Sequence, residues 1–356
     1  AVTGTNAAGA VPDLSNVSAV VIPSGTTVTF NDSVGVRTSP AQTGTVNITT
    51  LIGGSLTITN GALSATSLNV AELNTSSGTT VTTSSGITVA PATGVSNTIA
   101  GVLAGNGSFT KDGLGVMTLS AMNTYTGATM INAGRLVVAH NNALGTTAAG
   151  TTVASGATLD LQNVTVGSEQ ITLAGGTLTD VASSLSGNII LTADSYLGAT
   201  NVADTLTLSG VISGGYGITK TGAGTLVLEN ANTYTGTTTV TAGTLNVTGT
   251  LSDSTAVTVA AGATYIVAAN DTVASIAGAG TITLTNNLIA GTSTDTTFSG
   301  VLSSTGNFTK VGSGTLTLSG ANTYTGTTTV TAGTLNVTGT LSDSTAVTVA
   351  AGATYI

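Results

Sequence analysis

The sequence predicts an all-β protein, and three observations carry that prediction. Residues 222–266 recur as residues 312–356 with 41 of 45 positions identical, so the chain is built from repeats. Short runs such as Gly314–Ser319 and Thr334–Val337 alternate small polar and apolar residues with the period of two that is typical of strands. Threonine and valine, which favour strands, are abundant, whereas the strong helix formers Glu, Lys, Gln and Arg are scarce.

Composition excludes several classes of protein. Only 5 of the 356 residues are Lys or Arg and the net charge is −9, so the cluster of cations that binds nucleic acid is missing. There is no cysteine, which excludes disulfides, zinc–thiolate sites and thiol nucleophiles. A hydrophobic content of 40% argues against a disordered chain, and no apolar run approaches the roughly 18 residues of a membrane helix.

The spacing of the repeats predicts a single-stranded parallel β-helix, or β-solenoid. A third, diverged copy precedes the other two, and the copies span about residues 107–138, 217–247 and 306–337. Their lysines are 109 and 90 residues apart, which corresponds to five and four complete coils of about 22 residues and would place all three on one face. A propeller is disfavoured because its period is longer and its signature contains Trp, which this chain lacks.

The alternation also predicts which side chains point inward. We expect five residues of the second copy to stack on like residues of neighbouring coils: Leu226, Leu228, Val240, Leu245 and Val247. Threonines would then cover the outside, and glycines would form corners that need positive φ. The asparagines of the repeated Asn-Thr-Tyr-Thr-Gly, Asn232 and Asn322 with Asn123 of the diverged copy, are expected to tolerate a left-handed backbone and to satisfy turn backbone groups.

The repeat resembles a known family. Residues 312–330, Gly-Ser-Gly-Thr-Leu-Thr-Leu-Ser-Gly-Ala-Asn-Thr-Tyr-Thr-Gly-Thr-Thr-Thr-Val, followed by Ala332-Gly-Thr-Leu, resemble the passenger-associated transport repeat of Gram-negative autotransporters, the type V secretion system. The three copies cover about a quarter of the chain. The resemblance implies a right-handed β-helix exported to the cell surface. We expect the polypeptide to continue beyond Ile356, and any C-terminal outer-membrane barrel to lie outside this sequence.

Lys111, Lys220 and Lys310 occupy one position of the repeat and are the first candidate site. As a functional row they would bind an acidic polymer or form a covalent cross-link to Asn or Asp. As structural residues they would be outward turn residues that keep the solenoid soluble and discourage lateral strand pairing. We favour the structural interpretation, because the lysines would be four or five coils apart.

Tyr125, Tyr234 and Tyr324 also repeat in register. They would form either a ladder for stacking glycans or partners, or a structural cover that closes the turn over the core. We favour the structural role here too.

No catalytic, metal or cofactor site is predicted. His140, the only histidine, lies in a predicted loop between strands, and no Gly-x-Ser-x-Gly nucleophile accompanies it. Carboxylates are scattered, Arg37 and Arg135 are the only arginines, and residues 214–217 lack the Asp of the calcium-binding nonapeptide that they otherwise resemble. Threonine triplets such as residues 237–239 do not recur in every coil, which disfavours ice binding.

These observations predict an organisation and a role. We expect residues 1–100 to form a divergent solenoid segment, either an amino-terminal cap or degenerate coils, and residues 101–356 to carry the repeats. The predicted function is a non-enzymatic adhesin or passenger stalk on the surface of a Gram-negative bacterium. Its partner would be another copy of the chain or the surface of a host or neighbouring cell. The alternative is a structural subunit of an extracellular filament or surface layer.

Overall fold

The computed structural model describes the backbone of residues 20–30, 45–58 and 62–356, and side chains from residue 54 onward within those ranges. All the regular secondary structure in these residues is β-strand, and they contain no helix that could cross a membrane. The chain divides into two compact units, Ala1–Thr172 and Leu173–Ile356. The amino-terminal cap expected within residues 1–100 lies partly outside the described residues, and the boundary expected near residue 100 stays a prediction.

Fourteen strands begin in the first unit: β1 (Val20–Phe30), β2 (Thr45–Ile58), β3 (Ala62–Thr75), β4 (Thr80–Val89), β5 (Ser96–Ile99), β6 (Val102–Ala104), β7 (Ser108–Lys111), β8 (Val116–Leu119), β9 (Thr129–Ile131), β10 (Arg135–Val138), β11 (Thr151–Ala154), β12 (Thr158–Gln162), β13 (Thr165–Val166) and β14 (Ile171–Ala174).

The second unit contains the remaining strands: β15 (Thr177–Val181), β16 (Ser183–Leu185), β17 (Ile189–Ala193), β18 (Ser195–Ala199), β19 (Thr205–Leu208), β20 (Ile212–Gly214), β21 (Ile218–Thr221), β22 (Thr225–Leu228), β23 (Thr238–Val240), β24 (Thr244–Val247), β25 (Ala256–Val259), β26 (Thr264–Val267), β27 (Asp271–Val273), β28 (Ser275–Gly278), β29 (Thr281–Leu284), β30 (Leu288–Ala290), β31 (Thr296–Phe298), β32 (Val301–Ser304), β33 (Phe308–Lys310), β34 (Thr315–Leu318), β35 (Thr328–Val330), β36 (Thr334–Val337), β37 (Val347–Val349) and β38 (Thr354–Tyr355).

Each unit is a parallel β-solenoid, as the sequence predicts. In the second unit one ladder of parallel pairs runs from β18 through β21, β23, β25, β28, β31, β34 and β36 to β38. In the first unit β8, β10 and β12 pair in the same way. Each strand therefore hydrogen-bonds to the strand one coil further along the chain, and the backbone groups of the strands are satisfied between coils.

The coils of the second and third repeats are shorter than the sequence analysis predicts. Paired residues are 19 or 20 positions apart in the second and third repeats, as between β22 and β24 or β33 and β35. The offset falls to 17 between β26 and β29 and rises to 23 between β16 and β19. The expected length of about 22 residues agrees with coils such as that from β9 to β11, where the offset is 22, but is too long for the second and third repeats. Loops at the corners absorb the variation, because the strands on each face must stay in register.

The core consists of inward columns of aliphatic side chains. The five residues predicted to point inward, from Leu226 to Val247, are all at most 1% exposed, which confirms the alternation. Leu226 pairs with Leu206 in one neighbouring coil and with Leu245 in the other, so like residues stack along the solenoid. Burial of each such side chain stabilises the fold by roughly 1.5–3 kcal/mol.

Side-chain oxygens at the corners add a second link between coils. Asp194 Oδ1 accepts a hydrogen bond from Gly217 N at 2.7 Å, and Asn307 Oδ1 accepts one from Thr327 N at 2.8 Å. Asn188 and Asp295 do the same for the coils that follow them. Each bond satisfies a backbone donor where the strand ladder is interrupted, which explains the frequency of Asn and Asp at the corners.

The inward columns predict the effect of a core truncation. Leu245→Ala leaves a cavity against Leu226 and Tyr265, so we expect a loss of about 2–5 kcal/mol in the free energy of unfolding. Guanidinium denaturation followed by circular dichroism measures the change. The matched control is Thr258→Ala on the exposed side of β25, for which we expect a change within about 0.5 kcal/mol. Equal effects of the two substitutions would contradict the assignment of inward and outward sides.

Candidate functional site

The three repeated residues of the candidate site, Lys, Asn and Tyr, are all buried. Lys111, Lys220 and Lys310 are at most 1% exposed, and the asparagines and tyrosines of the three copies are at most 3% exposed. The expectation that the lysines point outward to solvent is therefore wrong. The lysine side chain of each repeat is buried, so its ammonium group must find hydrogen-bond acceptors inside the protein.

Each lysine is held by three backbone carbonyl groups. Lys220 Nζ donates to Thr221 O and Gly222 O, both at 2.8 Å, and to Ala242 O of the next coil at 3.2 Å. Lys310 makes the same contacts with the oxygens of Val311, Gly312 and Ala332, and Lys111 with those of Asp112, Gly113 and Ala133. An ammonium group has three donors, so its hydrogen-bonding capacity is matched by this cage.

Two glycines with positive φ shape the cage in each copy. In the second copy Gly222 has φ +74° and Gly243 in the next coil has φ +65°. A Cβ at Gly243 would lie 2.6 Å from Gly222 O, the oxygen that accepts from Lys220. Both glycines are thus required where they stand, one for the backbone turn and one for the close approach of the coils.

Burial affects the pKa of all three lysines. Burial away from water lowers the pKa of Lys111 and of Lys220 to about 8, and it also lowers the pKa of Lys310. Nearby carboxylates oppose the shift in each case. Lys111 and Lys220 remain largely protonated at neutral pH, but an acidic polymer has no access to an ammonium group that is enclosed by backbone.

The second and third lysines do not share a face. Lys220 lies on β21, whose ladder continues through β23, β25 and β28 to β31 and β34. Lys310 lies on β33, which pairs with β30 and through it with β27. The expectation of one common face is wrong because 90 residues correspond to between four and five coils of 19 or 20 residues.

The repeated asparagine links three coils. Asn232 Oδ1 accepts from Ile212 N in the preceding coil at 3.0 Å, and Nδ2 donates to Asn230 O and to Thr250 O in the following coil. Asn322 makes equivalent bonds to Leu302 and Thr340, and Asn123 to Leu103 and Ala143. The predicted satisfaction of turn backbone groups is confirmed, and none of the three asparagines adopts the left-handed backbone that asparagine tolerates.

The repeated tyrosine closes the same corner from inside. Tyr234 Oη lies 2.5 Å from Thr238 Oγ1, and Tyr125 and Tyr324 form the same pair with Thr129 and Thr328. Burial raises the pKa of all three phenols above the ordinary value. The rings are enclosed, so they offer no face to a stacking ligand.

Sequence reasoning missed the buried carboxylates. Asp271 is 4% exposed and accepts bonds from Tyr265 Oη at 3.0 Å and from Leu251 N at 3.1 Å. Burial raises the pKa of this carboxyl group to about 6. Asp160 is paired with Arg135 and accepts further bonds from Gln162. Asp271 is the first residue of β27, but only its contact with Tyr265 reveals the role.

Other sequence candidates do not converge. His140 Nδ1 accepts a bond from Asn142 N at 3.1 Å within a turn, and Arg37 lies outside the described residues. Among the described residues, no three His, Asp or Glu side chains form a group that could hold a metal ion.

The lysine cage predicts a large effect of removing its cation. Lys220→Met keeps the length of the side chain but leaves the oxygens of Thr221, Gly222 and Ala242 without this donor, so we expect a loss of about 2–5 kcal/mol at pH 7. Denaturation midpoints measure it, with Thr219→Val on the outward side of the same strand as the control. A loss below about 0.5 kcal/mol would show that the cage is not stabilising.

Asp271 predicts a pH dependence. Its pKa in the folded protein is about 6, above the ordinary value of 3.8, so between these values the folded state binds the proton more tightly. Its contribution to stability is present below about pH 4 and is lost as the pH rises through 6. Relative to Asp271→Asn, which keeps the size of the side chain, the natural protein should lose on the order of 1–3 kcal/mol between pH 4 and pH 7. Thermal unfolding of both proteins checks this, and parallel pH profiles would refute it.

Comparisons with known proteins agree with the architecture of the repeat. The family described as "Passenger-associated-transport-repeat" matches residues 109–138, 218–247 and 308–337, within two residues of the ranges predicted from the sequence. The adhesin BmaC autotransporter of Brucella suis biovar 1 (strain 1330) is 37% identical over 138 residues, which are 38% of this chain and 4% of that protein. No solved structure matches the chain.

The three family matches fall on the segments that contain the lysine cage, the asparagine link and the buried tyrosine. The relative that shares sequence with the chain is itself an autotransporter adhesin, although the chain spans only a small part of its length. Together the repeats and this similarity support an autotransporter passenger domain.

Proposed function

We propose that the chain is part of a non-enzymatic adhesin displayed on the surface of a Gram-negative bacterium, where it mediates adhesion or self-association. The observation that carries the proposal is the presence of three passenger repeats in a chain similar to an autotransporter adhesin. Within the repeats, the titratable and aromatic residues that sequence analysis singled out serve the interior. The outward strand residues are therefore the groups left to meet a partner.

The outward residues of one face form a continuous column of hydroxyl groups. Five threonines pair in succession on β19, β22, β24, β26 and β29: Thr205, Thr225, Thr244, Thr264 and Thr281. Neighbouring strands lie roughly 4.8 Å apart, so the hydroxyl groups repeat at that spacing along the solenoid. The hydroxyl groups of this column can form many weak hydrogen bonds with a partner that lies along the solenoid.

The low charge of this face favours self-association. The column contains no ionisable side chain, so two copies laid side by side meet little electrostatic repulsion there. Individual hydrogen bonds contribute only about 1 kcal/mol each. An extended array of them holds cells together by multivalency rather than by a single tight site.

Display on a non-adherent Gram-negative strain tests the proposal. We expect cells that carry the chain in its native passenger to settle faster, or to bind host or neighbouring cells, compared with cells that carry the empty translocator. In a triple variant, Thr225→Glu, Thr244→Glu and Thr264→Glu, like charges on adjacent coils should reduce settling severalfold.

The matched control replaces the same three threonines by serine, which preserves the hydroxyl groups. Surface display is quantified by antibody for every variant, and circular dichroism of the secreted passenger verifies folding. Displayed, folded chain that causes neither settling nor adhesion would refute the proposal. Ordered fibres of the purified chain in electron micrographs would favour a filament subunit instead.

A further inference from the structure

Two tyrosines outside the repeats behave differently from those inside them. Tyr196 is 47% exposed and Tyr216 is 46% exposed, whereas Tyr234 and Tyr324 of the same unit are fully buried. Tyr196 lies on β18 and Tyr216 precedes β21 in the next coil. Exposed aromatic side chains are enriched at binding surfaces, because a rigid ring supplies a large contact area at low cost in conformational entropy.

Tyr196 interrupts a column of threonines. It pairs with Thr177 in the preceding coil and with Thr219 in the following one, and the column continues with Thr239 and Thr258. The strand geometry at this position thus accommodates threonine, and the aromatic ring is not needed to complete the core. Its flat face stands on the outside between two hydroxyl-bearing neighbours.

Asp194 connects Tyr196 to Tyr216. Its Oδ1 accepts from Gly217 N at 2.7 Å, and Gly217 O accepts from Ser195 N at 3.1 Å, which fixes Tyr216 beside the start of β18. Asp194 is exposed, and its Oδ2 is left to accept hydrogen bonds from a ligand. A Cβ at Gly236 would lie 2.1 Å from the carbonyl carbon of Tyr216, so the following coil packs directly on this backbone and holds it in place.

The two tyrosines lie in neighbouring coils. Tyr216 lies in the bend that precedes β21, and β21 pairs with β18, which carries Tyr196. Two exposed aromatic rings in neighbouring coils, together with the exposed carboxylate of Asp194, supply the groups that bind a chain of sugar rings. Apolar C–H faces would stack on the tyrosines, and hydroxyl groups would donate to Asp194.

The charge of this unit excludes acidic ligands. Residues 173–356 contain two cationic side chains, Lys220 and Lys310, and both are enclosed in the carbonyl cages. The exposed ionisable side chains on this unit include the carboxylates of Asp194, Glu229 and Asp253. A polyanion would meet repulsion without a compensating cation, whereas a neutral polyhydroxyl chain would not.

We propose that Tyr196, Asp194 and Tyr216 form a contact site for a neutral glycan chain. The inference rests on the proposed adhesin function and names the class of ligand for it. It also transfers the role that the sequence suggested for the repeated tyrosines to the two that reach solvent.

Affinity electrophoresis of the whole chain tests the site. The protein is run through native gels that contain a soluble β-glucan, a galactomannan or, as the charged comparison, polygalacturonate. We expect retardation by at least one of the two neutral polysaccharides and none by polygalacturonate. Tyr196→Thr, which installs the residue of the neighbouring coils, and Tyr216→Ser should each weaken the apparent affinity by about tenfold.

Met122→Thr is the matched control, because Met122 is also a large apolar side chain, is 55% exposed and lies outside residues 194–216. It should leave retardation unchanged. No retardation by either neutral polysaccharide, or equal retardation of the Tyr196 and Met122 variants, would overturn the proposal. A change in sedimentation without a change in retardation would assign the patch to contact between copies and would equally overturn it.

Cell settling and adhesion separate this inference from the function on which it rests. If displayed Tyr196→Thr cells adhere like the natural protein and the purified variant keeps its retardation, the site fails and the adhesin function stands. If the purified chain is retarded but displayed chain mediates no adhesion, the glycan site stands and the adhesin function fails.

Discussion

The structure depends on one constraint, which is that each strand must pair in register with a strand one coil away. A solenoid satisfies the backbone in this way only if successive coils have nearly the same circumference, so corner loops lengthen or shorten while strands stay aligned. Inward leucines and valines then stack on one another, and asparagine and aspartate side chains supply the hydrogen bonds that the corners lack. Length, register and composition are therefore coupled in every coil.

The alternation of apolar and small polar residues was sufficient to predict the strands, the parallel stacking and the inward residues such as Leu226 and Leu245. One side of each strand faces the core and the other faces solvent, so an alternation with a period of two shows which residues point inward. The coil length was less accessible, since a repeat of 90 residues does not need to contain a whole number of coils. The error placed Lys310 on the same face as Lys220, whereas the structure places them on different ladders, because the sequence contains no direct signal of where a corner ends.

The buried position of the repeated lysine could not be predicted from the sequence either. Three carbonyl groups accept hydrogen bonds from the buried ammonium group. Two of them belong to the two residues that follow the lysine in the chain, and the third comes from the following coil. A glycine with positive φ must turn one of those carbonyls inward. Composition alone suggests a solvated cation, since an isolated buried charge is costly. The cage becomes visible only when the coils are stacked, and it explains why lysine, glycine and the Ala-Gly turn recur together.

Enclosure of the basic side chains bears on how proteases attack the protein. Proteases of the trypsin type cut after lysine or arginine and must draw the flanking backbone out as an extended segment. In residues 173–356 the two lysines are buried, and the backbone around them is hydrogen-bonded to neighbouring coils. Such an enzyme can therefore bind neither lysine until the coils separate. Resistance to this class of digestion is thus built into the same contacts that hold the repeat together.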